Sequence, residues 1–407
     1  MRVKKQHIKD KETINRCKEL AKLSRDLFNR ANYIVRQAYT NHHDNIPEYT
    51  DLIQNNRTIS GFALAKRMRK LDEKAFRDFP NSRTAGNIIK TLDKSWKSRL
   101  ALIKKYKDNH EKKVGIVNFS KDESKVYIYI DKQSIRIVDG YCFFPDSFGL
   151  KPIKYIIDEG CKLKEIRIAY NNGEYYFYHV YQEKQCEPIE VYYNKFISID
   201  IGINNIMTVV DNEGESFIVN GRPIKSINQF FNKQMAKAHS YVGDKGTSNR
   251  IKALCHKRNN RFNNILHEMS NEIIKYCIKH KIGNIIIGKN KEWKQRCKLH
   301  KKIKQHFVQI PHARLIDLIK YKAEQNNIKV VEQMESHTSK CDALAKEEVK
   351  HHDKYLGRRV ERGLFKSSTG IKINADVNGA LNIMRRVVGD DFIDNLNMDK
   401  VIAPYRI

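Results

Sequence analysis

The order of strands and helices after residue 195 restricts the fold more than any other feature of this sequence. Apolar residues first form short strand-like runs around Gly202 and Gly214, and later recur with the spacing of three to four that predicts helices. The predicted segments are strands at 196–200, 205–210 and 215–219, a helix at about 249–280, a strand at 284–287, a helix at 311–326, a strand at 328–332 and a last helix from Ala375. Three meandering strands followed by alternating helices and strands indicate a ribonuclease-H-like α/β fold.

The first half of the chain has a different pattern. Helical spacing predicts amphipathic helices at 11–39, 61–78 and 84–107, each with Lys or Arg on the polar face. From about residue 114 the period changes to two, and Asn172-Gly173 between two β-rich runs is a hairpin signal. We therefore predict a β-rich domain, a small barrel or sandwich, with a basic helical insertion, and a boundary at 186–195.

Charge and length restrict the class of protein. A chain of 407 residues is longer than a single domain with one hydrophobic core usually is, so two or three domains are expected. With 77 Lys and Arg against 47 Asp and Glu, the net charge is +30, which favours a polyanionic partner such as nucleic acid. A basic surface that is merely solvated is the alternative. No apolar run approaches the roughly 20 residues of a membrane span, and the start lacks an apolar signal core, so we expect neither a membrane nor a secreted protein.

The 8 cysteines lie far apart and form no Cys-x-x-Cys pair. This spacing is typical of a reduced cytoplasmic protein, and it gives no recognisable structural zinc site.

Two aspartates lie where a ribonuclease-H-like sheet could use them. Asp200 ends the first strand beside Gly202, and Asp376 begins the final helix. Taken singly, Asp200 would be a turn residue and Asp376 a helix-capping acid. Taken together, they suit a site in which carboxylates hold two Mg²⁺ ions for phosphodiester hydrolysis.

Such a site needs a third acid, which usually ends the fourth strand. That position is Gly288, whereas the following strand supplies Glu332 and Glu335. A carboxylate at the end of this neighbouring strand could reach the same metal ions. We favour Glu335, which would lie in the loop at the edge of the sheet, with Glu332 as the alternative; both could instead be surface acids.

Motifs spread over nearly the whole chain resemble those of the OrfB/TnpB family, transposon-encoded RNA-guided nucleases related to compact type V CRISPR effectors. The motifs are 199–205, 219–228, 288–295, 307–311, 335–340 and 374–383, with further similarity at 29–36 and 92–97. The resemblance matches Asp200 and Asp376 to the first and last RuvC acids, and Glu335 to a relocated middle acid.

The resemblance implies a fold and a set of partners. The expected fold is a multidomain α/β chain: a wedge-like β-barrel from 1–10 and 108–190, a helical recognition insertion at 11–107, and a RuvC nuclease domain at 191–407. The expected partners are a guide RNA and double-stranded target DNA, cut beside a short target-adjacent motif in the cytoplasm of a prokaryote. The origin of the guide, the motif and the oligomeric state stay open.

Two departures from the family pattern bear on function. Many members carry a four-cysteine zinc ribbon before the last acid, but between Thr338 and Asp376 this chain has only Cys341, so zinc is not expected. Relatives that lost their acids act as RNA-guided repressors. A nuclease-inactive DNA-binding repressor is therefore the alternative function, because the usual strand-four acid is missing.

Two basic clusters are candidates for contact with nucleic acid, or else solvated faces. The first holds Lys289, Lys291, Trp293 and Lys294, in which Trp293 could stack on a base or simply pack; the second holds Arg358, Arg359 and Arg362, just before the last acid.

Overall fold

The structure is a computed structural model of the chain. It describes residues 1–106, 114–121, 127–171, 173–184, 189–243, 246–289 and 309–407. The Cα positions form two compact units, Met1–Gln185 and Cys186–Ile407.

Three of the four described α-helices of the first unit begin at a residue whose side chain caps the helix. Those described are α1 (Lys11–Tyr39), α2 (Gly61–Lys70), α3 (Lys74–Arg77) and α4 (Ser82–Lys105). The side chain of Asp10 accepts a hydrogen bond from the backbone of Thr13 at the start of α1, and Asn81 caps α4 in the same way. Inside the unit, Trp96 Nε1 of α4 donates to Asn32 Oδ1 of α1 over 3.0 Å, so the buried indole is satisfied where these helices pack.

The strands of the first unit form two antiparallel sheets. They are β1 (Arg2–His7), β2 (Ile128–Asp131), β3 (Arg136–Val138), β4 (Tyr141–Phe143), β5 (Ile153–Lys154), β6 (Lys162–Asn171) and β7 (Glu174–Gln182). The larger sheet has the order β1-β7-β6-β2 and the smaller β3-β4-β5. Lys5 of β1 pairs with Tyr178 of β7, so the start of the chain joins strands that follow the helices. With β1 and β2 at its edges, the larger sheet is open in the described residues.

The second unit is built on a six-stranded mixed sheet. Its strands are β8 (Tyr192–Asp200), β9 (Asn205–Asp211), β10 (Ser216–Asn220), β11 (Ile282–Gly288), β12 (Lys329–Gln333) and the later β16 (Tyr405–Arg406), in the order β12-β11-β8-β9-β10-β16. β8, β9 and β10 are antiparallel neighbours, whereas β11 and β12 run parallel to β8. The carboxyl ends of β8, β11 and β12 therefore meet at one edge, where ligands bind in open α/β sheets.

Helices cover both faces of this sheet. The helices among the described residues of the unit are α5 (Arg222–Val242), α6 (Asn249–Lys279), α7 (His312–Gln325), α8 (Ala375–Val388) and α9 (Met398–Ile402). A small sheet of β13 (Arg358–Glu361), β14 (Leu364–Lys366) and β15 (Lys372–Asn374) precedes α8. On β11, Ile285 and Ile287 belong to the core with α6 and α7, whereas Ile286 belongs to the core with α8. This alternation fits a strand that is buried on both sides. In the described residues, no helix has the length and apolar character to cross a membrane.

The predicted order of elements in the second half is confirmed, with differences in detail. The segment predicted as one helix at 61–78 is two helices, α2 and α3, separated at Asp72, whose φ is +50°. Sequence reasoning missed α5, β5, β13, β14, β15 and β16, and it assigned 1–10 to the β-rich part without naming β1. Pro223 in the first turn of α5 was the available signal for that helix.

Candidate functional site

Asp200 lies at the end of β8, the strand at which the parallel and antiparallel parts of the sheet meet. Its side chain keeps some accessible surface but is closely surrounded by protein atoms. Burial and the nearby carboxylate of Asp376 raise the pKa of Asp200 to about 7, while the positive charge of Arg359 opposes the shift. A carboxyl group that resists ionisation in this way is typical of functional sites.

Asp376 lies in the first turn of α8 and is held from two sides. The side chain of Asn374 caps the helix by accepting a hydrogen bond from the Asp376 backbone over 2.9 Å. Asn205, at the start of β9, donates to Asp376 Oδ2 over 2.7 Å. Arg359 Nη2 lies 3.8 Å from Asp376 Oδ1. The carboxylate is thus oriented by an amide and faces a guanidinium group.

Glu335 follows the end of β12 and is positioned by α8. Arg386 donates to the carbonyl oxygens on both sides of it, Met334 over 3.0 Å and Ser336 over 2.8 Å. Burial and the charge of Asp200 raise the pKa of Glu335 to about 8. Asp200 therefore lies close enough for its charge to disfavour ionisation of Glu335.

Two glycines provide the space in which these carboxylates lie. A methyl group on Gly288, at the end of β11, would lie 2.2 Å from Glu335 Oε1. A methyl group on Gly379, in α8, would lie 2.7 Å from Asp200 Oδ2. Gly288 therefore stands where the fourth strand of the sheet would usually end in an acid, and the Glu335 side chain packs against it.

Glu332 has a different environment. It lies on β12, where its carboxylate contacts Lys289 Nζ at 2.8 Å and Lys320 Nζ at 2.5 Å. Burial would raise its pKa, but the two lysine hydrogen bonds outweigh that effect and lower it. The geometry therefore favours Glu335 over Glu332 as the middle acid, and it gives Lys289 an ion-pair partner.

The donor set fits Mg²⁺, which prefers carboxylate oxygens. The Asp200 and Glu335 oxygens lie against the two glycine positions, where no Cβ crowds them, and Asp376 is coupled electrostatically to Asp200. Within the described residues, no group of three or more His, Cys, Asp or Glu is already gathered tightly enough to hold one ion. The three acids are thus neighbours in one site rather than a closed chelate.

A cleft of about 390 Å³ opens beside Asp376 and is lined by arginine. Arg359 and Arg362 of the second basic cluster line it, but Arg358 is not among the lining residues. Arg222 and Arg406 line it as well, and sequence reasoning missed both. Neither lies in a run of basic residues, although Arg222 falls within the motif 219–228. The other predicted contacts, Lys291, Trp293 and Lys294, fall outside the described residues.

Comparisons with known proteins agree with the motifs. The profile of OrfB_IS605, described as "Probable transposase", matches residues 178–294, and that of "Cas12f1-like, TNB domain" matches residues 312–383. The TnpB-like protein ORF457 of Acidianus two-tailed virus is 26% identical over 208 residues, which are 48% of this chain. The chain is thus similar to the TnpB/OrfB family in both matched regions. The matched region spans 42% of the viral protein, less than half its length.

A solved structure shares the fold. The Cas12f1 chain in a cryo-EM structure of a Cas12f1–sgRNA–target DNA complex aligns over 90% of this chain and 82% of its own length, with a TM-score of 0.53 and 16% identity. At that identity the likeness shows a mixed α/β, multidomain fold of the Cas12f type.

Proposed function

We propose that this chain is an RNA-guided DNA endonuclease that cuts target DNA beside a short target-adjacent motif. The observation that carries the proposal is the meeting of Asp200, Glu335 and Asp376 at one edge of the second unit's sheet, beside an arginine-lined cleft. We assign this unit, from residue 191, to the ribonuclease-H-like RuvC class. A buried set of like charges costs folding free energy, so its presence favours a functional role over a structural one.

Guide RNA and double-stranded target DNA are the proposed partners. The Cas12f1 structure with the same fold is a complex with sgRNA and target DNA, and a net charge of +30 suits two polyanions. In the proposed division, 1–10 and 108–190 form the wedge-like part, 11–107 the recognition helices and 191–407 the nuclease. Base pairing would read the sequence, and the protein would read shape and the short motif. The proposed location is the prokaryotic cytoplasm.

The proposed cofactor is Mg²⁺, held by Asp200, Glu335 and Asp376. Two bound ions would supply an activated water and stabilise the leaving oxygen. The chain's own residues prepare the site: Asn205 orients the Asp376 carboxylate, and Arg386 fixes the loop that carries Glu335. The arginines of the cleft would bind the backbone of the strand to be cut.

The test is the variant Asp200→Ala. Purified protein with its co-purified RNA is incubated with Mg²⁺ and target plasmid, and cleavage is expected to fall by about a thousandfold or more, while RNA retention stays unchanged. Wild-type cleavage by this variant would contradict the mechanism.

A plasmid library with randomised flanks separates the nuclease from the repressor. Cuts beside one motif support the endonuclease, whereas targets that are protected but intact support a nuclease-inactive RNA-guided binder. The argument for the repressor was the missing strand-four acid. The packing of Glu335 against Gly288 weakens that argument, because it offers a carboxylate at the same place.

A further inference from the structure

The arginine-lined cleft beside Asp376 holds more positive charge than its protein neighbours neutralise. Arg359 faces the Asp376 carboxylate. In the described part of the chain, no hydrogen bond or ion pair occupies the guanidinium groups of Arg222, Arg362 and Arg406, and all three side chains are exposed. Three cations around one cleft repel one another unless an anion lies between them.

The loop between β8 and β9 fixes Arg222 relative to the acids. Gly221 donates its backbone N–H to the Asn204 carbonyl over 2.8 Å, and Lys225 Nζ donates to Asn204 Oδ1 over 2.8 Å. A methyl group on Gly221 would lie 2.4 Å from the Ile203 carbonyl oxygen, so α5 begins directly against this loop. The next residue of the loop, Asn205, binds Asp376. One short loop therefore holds both Arg222 and a proposed metal ligand.

The end of the chain brings Arg406 to the same place. β16 runs parallel to β10, with Arg406 opposite Ile218. The backbone of Ile407 then closes the pairing, since it donates to the Ile218 carbonyl over 3.0 Å and accepts from Asn220 over 3.1 Å. Arg406 thus lies beside the strand that leads into Arg222.

A tight turn positions Arg362. Gly363 has a φ of +95° in the turn between β13 and β14, a conformation that favours glycine. Its carbonyl accepts a hydrogen bond from the Ala375 backbone over 3.0 Å, directly before Asp376. Three separate parts of the chain therefore deliver guanidinium groups to one cleft.

We propose that Arg222, Arg362 and Arg406 form a clamp that binds consecutive phosphates of single-stranded DNA beside the three carboxylates. A guanidinium group can donate two parallel hydrogen bonds to the oxygens of one phosphate. The three arginines therefore suit the backbone of a nucleic acid better than the edges of its bases. The identity of the strand as the DNA to be cut rests on the proposed function. Arg222 and Arg406 would be positioning residues that hold the strand while the carboxylates act.

The test measures binding and requires no cleavage. A fluorescein-labelled hexathymidylate is titrated into the ribonucleoprotein in EDTA at several salt concentrations, and the slope of log K against log salt is compared between variants. Each phosphate contact on a single strand contributes about 0.7 to that slope. The variant R222A/R406A is expected to lower the slope by about 1.4 and to weaken binding at low salt at least tenfold.

The matched control is Arg358→Ala. Arg358 lies on β13 next to Arg359 but does not line the cleft, so its removal is expected to change the slope by much less than the value of about 0.7 for one phosphate contact. A variant with lysines, R222K/R406K, keeps the charges and should keep the slope while losing affinity through its poorer geometry. Thermal unfolding of each ribonucleoprotein checks that the variants fold.

The outcomes are distinct from those for the nuclease. An unchanged slope in a folded R222A/R406A variant overturns the clamp, even if the wild-type protein cuts DNA. A lowered slope supports it, even if no cleavage is found. Unlabelled hexauridylate serves as competitor, and stronger competition by this RNA than by unlabelled hexathymidylate would overturn the assignment to DNA.

Discussion

At the scale of residues, Glu335 and Glu332 form a matched pair for testing which acid is the relocated one. Glu335→Gln keeps the size of a buried carboxyl and removes its charge, so cleavage should fall by about a hundredfold or more. Glu332→Gln should retain near wild-type cleavage. It loses ion pairs with Lys289 and Lys320 at a partly exposed position, a cost of about 1 kcal/mol or less. Plasmid cleavage rates of the two variants decide between them, and the reverse result would make Glu332 the middle acid.

The raised pKa values of Asp200 and Glu335 also predict a pH dependence of stability. Without metal, these groups keep their protons to about pH 7 and about pH 8, whereas in the unfolded chain they lose them near pH 4. The unfolded state therefore binds fewer protons between these values, and the free energy of unfolding falls as pH rises through this window.

We expect the melting temperature of the wild-type protein in EDTA to fall from about pH 5 to about pH 9 more steeply than that of D200N/E335Q. Mg²⁺ should reduce the fall, since it binds the ionised carboxylates of the folded state. Equal pH slopes for the two proteins would show that these acids are not protonated in the folded chain.

Some site residues could be predicted from sequence because the signal was local. Asp200 follows an apolar strand and Asp376 starts an amphipathic helix, so their position at a common edge follows from the order of elements. Arg222 and Arg406 are 184 residues apart in the sequence. They come together because the two residues of β16 pair in parallel with two residues of β10. Such a pairing leaves no periodicity, so only the folded structure reveals it.

At the scale of elements, α8 organises the whole candidate site. It carries Asp376 in its first turn, Gly379 against Asp200, and Arg386 against the loop of Glu335. Residues 376, 379 and 386 lie on the same side of the helix, because residues three or seven positions apart project in similar directions. A change in the position of α8 would thus move all three acids at once.

This arrangement predicts opposite effects for two glycine substitutions within helices. Gly86→Ala in α4 meets nothing within 4 Å, and alanine should stabilise the helix by about 0.5–1 kcal/mol. Gly379→Ala in α8 would place a methyl group 2.7 Å from Asp200 Oδ2, so that carboxylate must shift. We expect at least a tenfold loss of cleavage for Gly379→Ala and none for Gly86→Ala. Cleavage assays and melting curves of both variants measure this, and equal cleavage would contradict the role given to Gly379.

Apart from α5, the elements that sequence reasoning missed are short strands that depend on tertiary contacts. β13, β14 and β15 are three or four residues each, too short for a period-two pattern to be distinguished from a loop. Their place in the fold comes from hydrogen bonds such as the one that the Ser367 hydroxyl, directly after β14, donates to the Asp342 carboxylate over 2.9 Å. Long helices with strong spacing, such as α1 and α6, were predicted to within about two residues.

At the scale of the whole molecule, the net charge of +30 gives the last prediction. A guide RNA of about a hundred nucleotides carries more negative charge than this chain carries positive, so RNA should act as a nearly permanent subunit. Digesting the RNA in the purified complex with ribonuclease should lower the melting temperature and cause aggregation at low salt, because like charges on the protein are no longer neutralised. Light scattering and melting curves measure this, with deoxyribonuclease treatment as the control. A protein that stays monodisperse with an unchanged melting temperature after complete RNA removal would show that its basic surface is balanced within the fold, and that RNA is a ligand rather than a structural part.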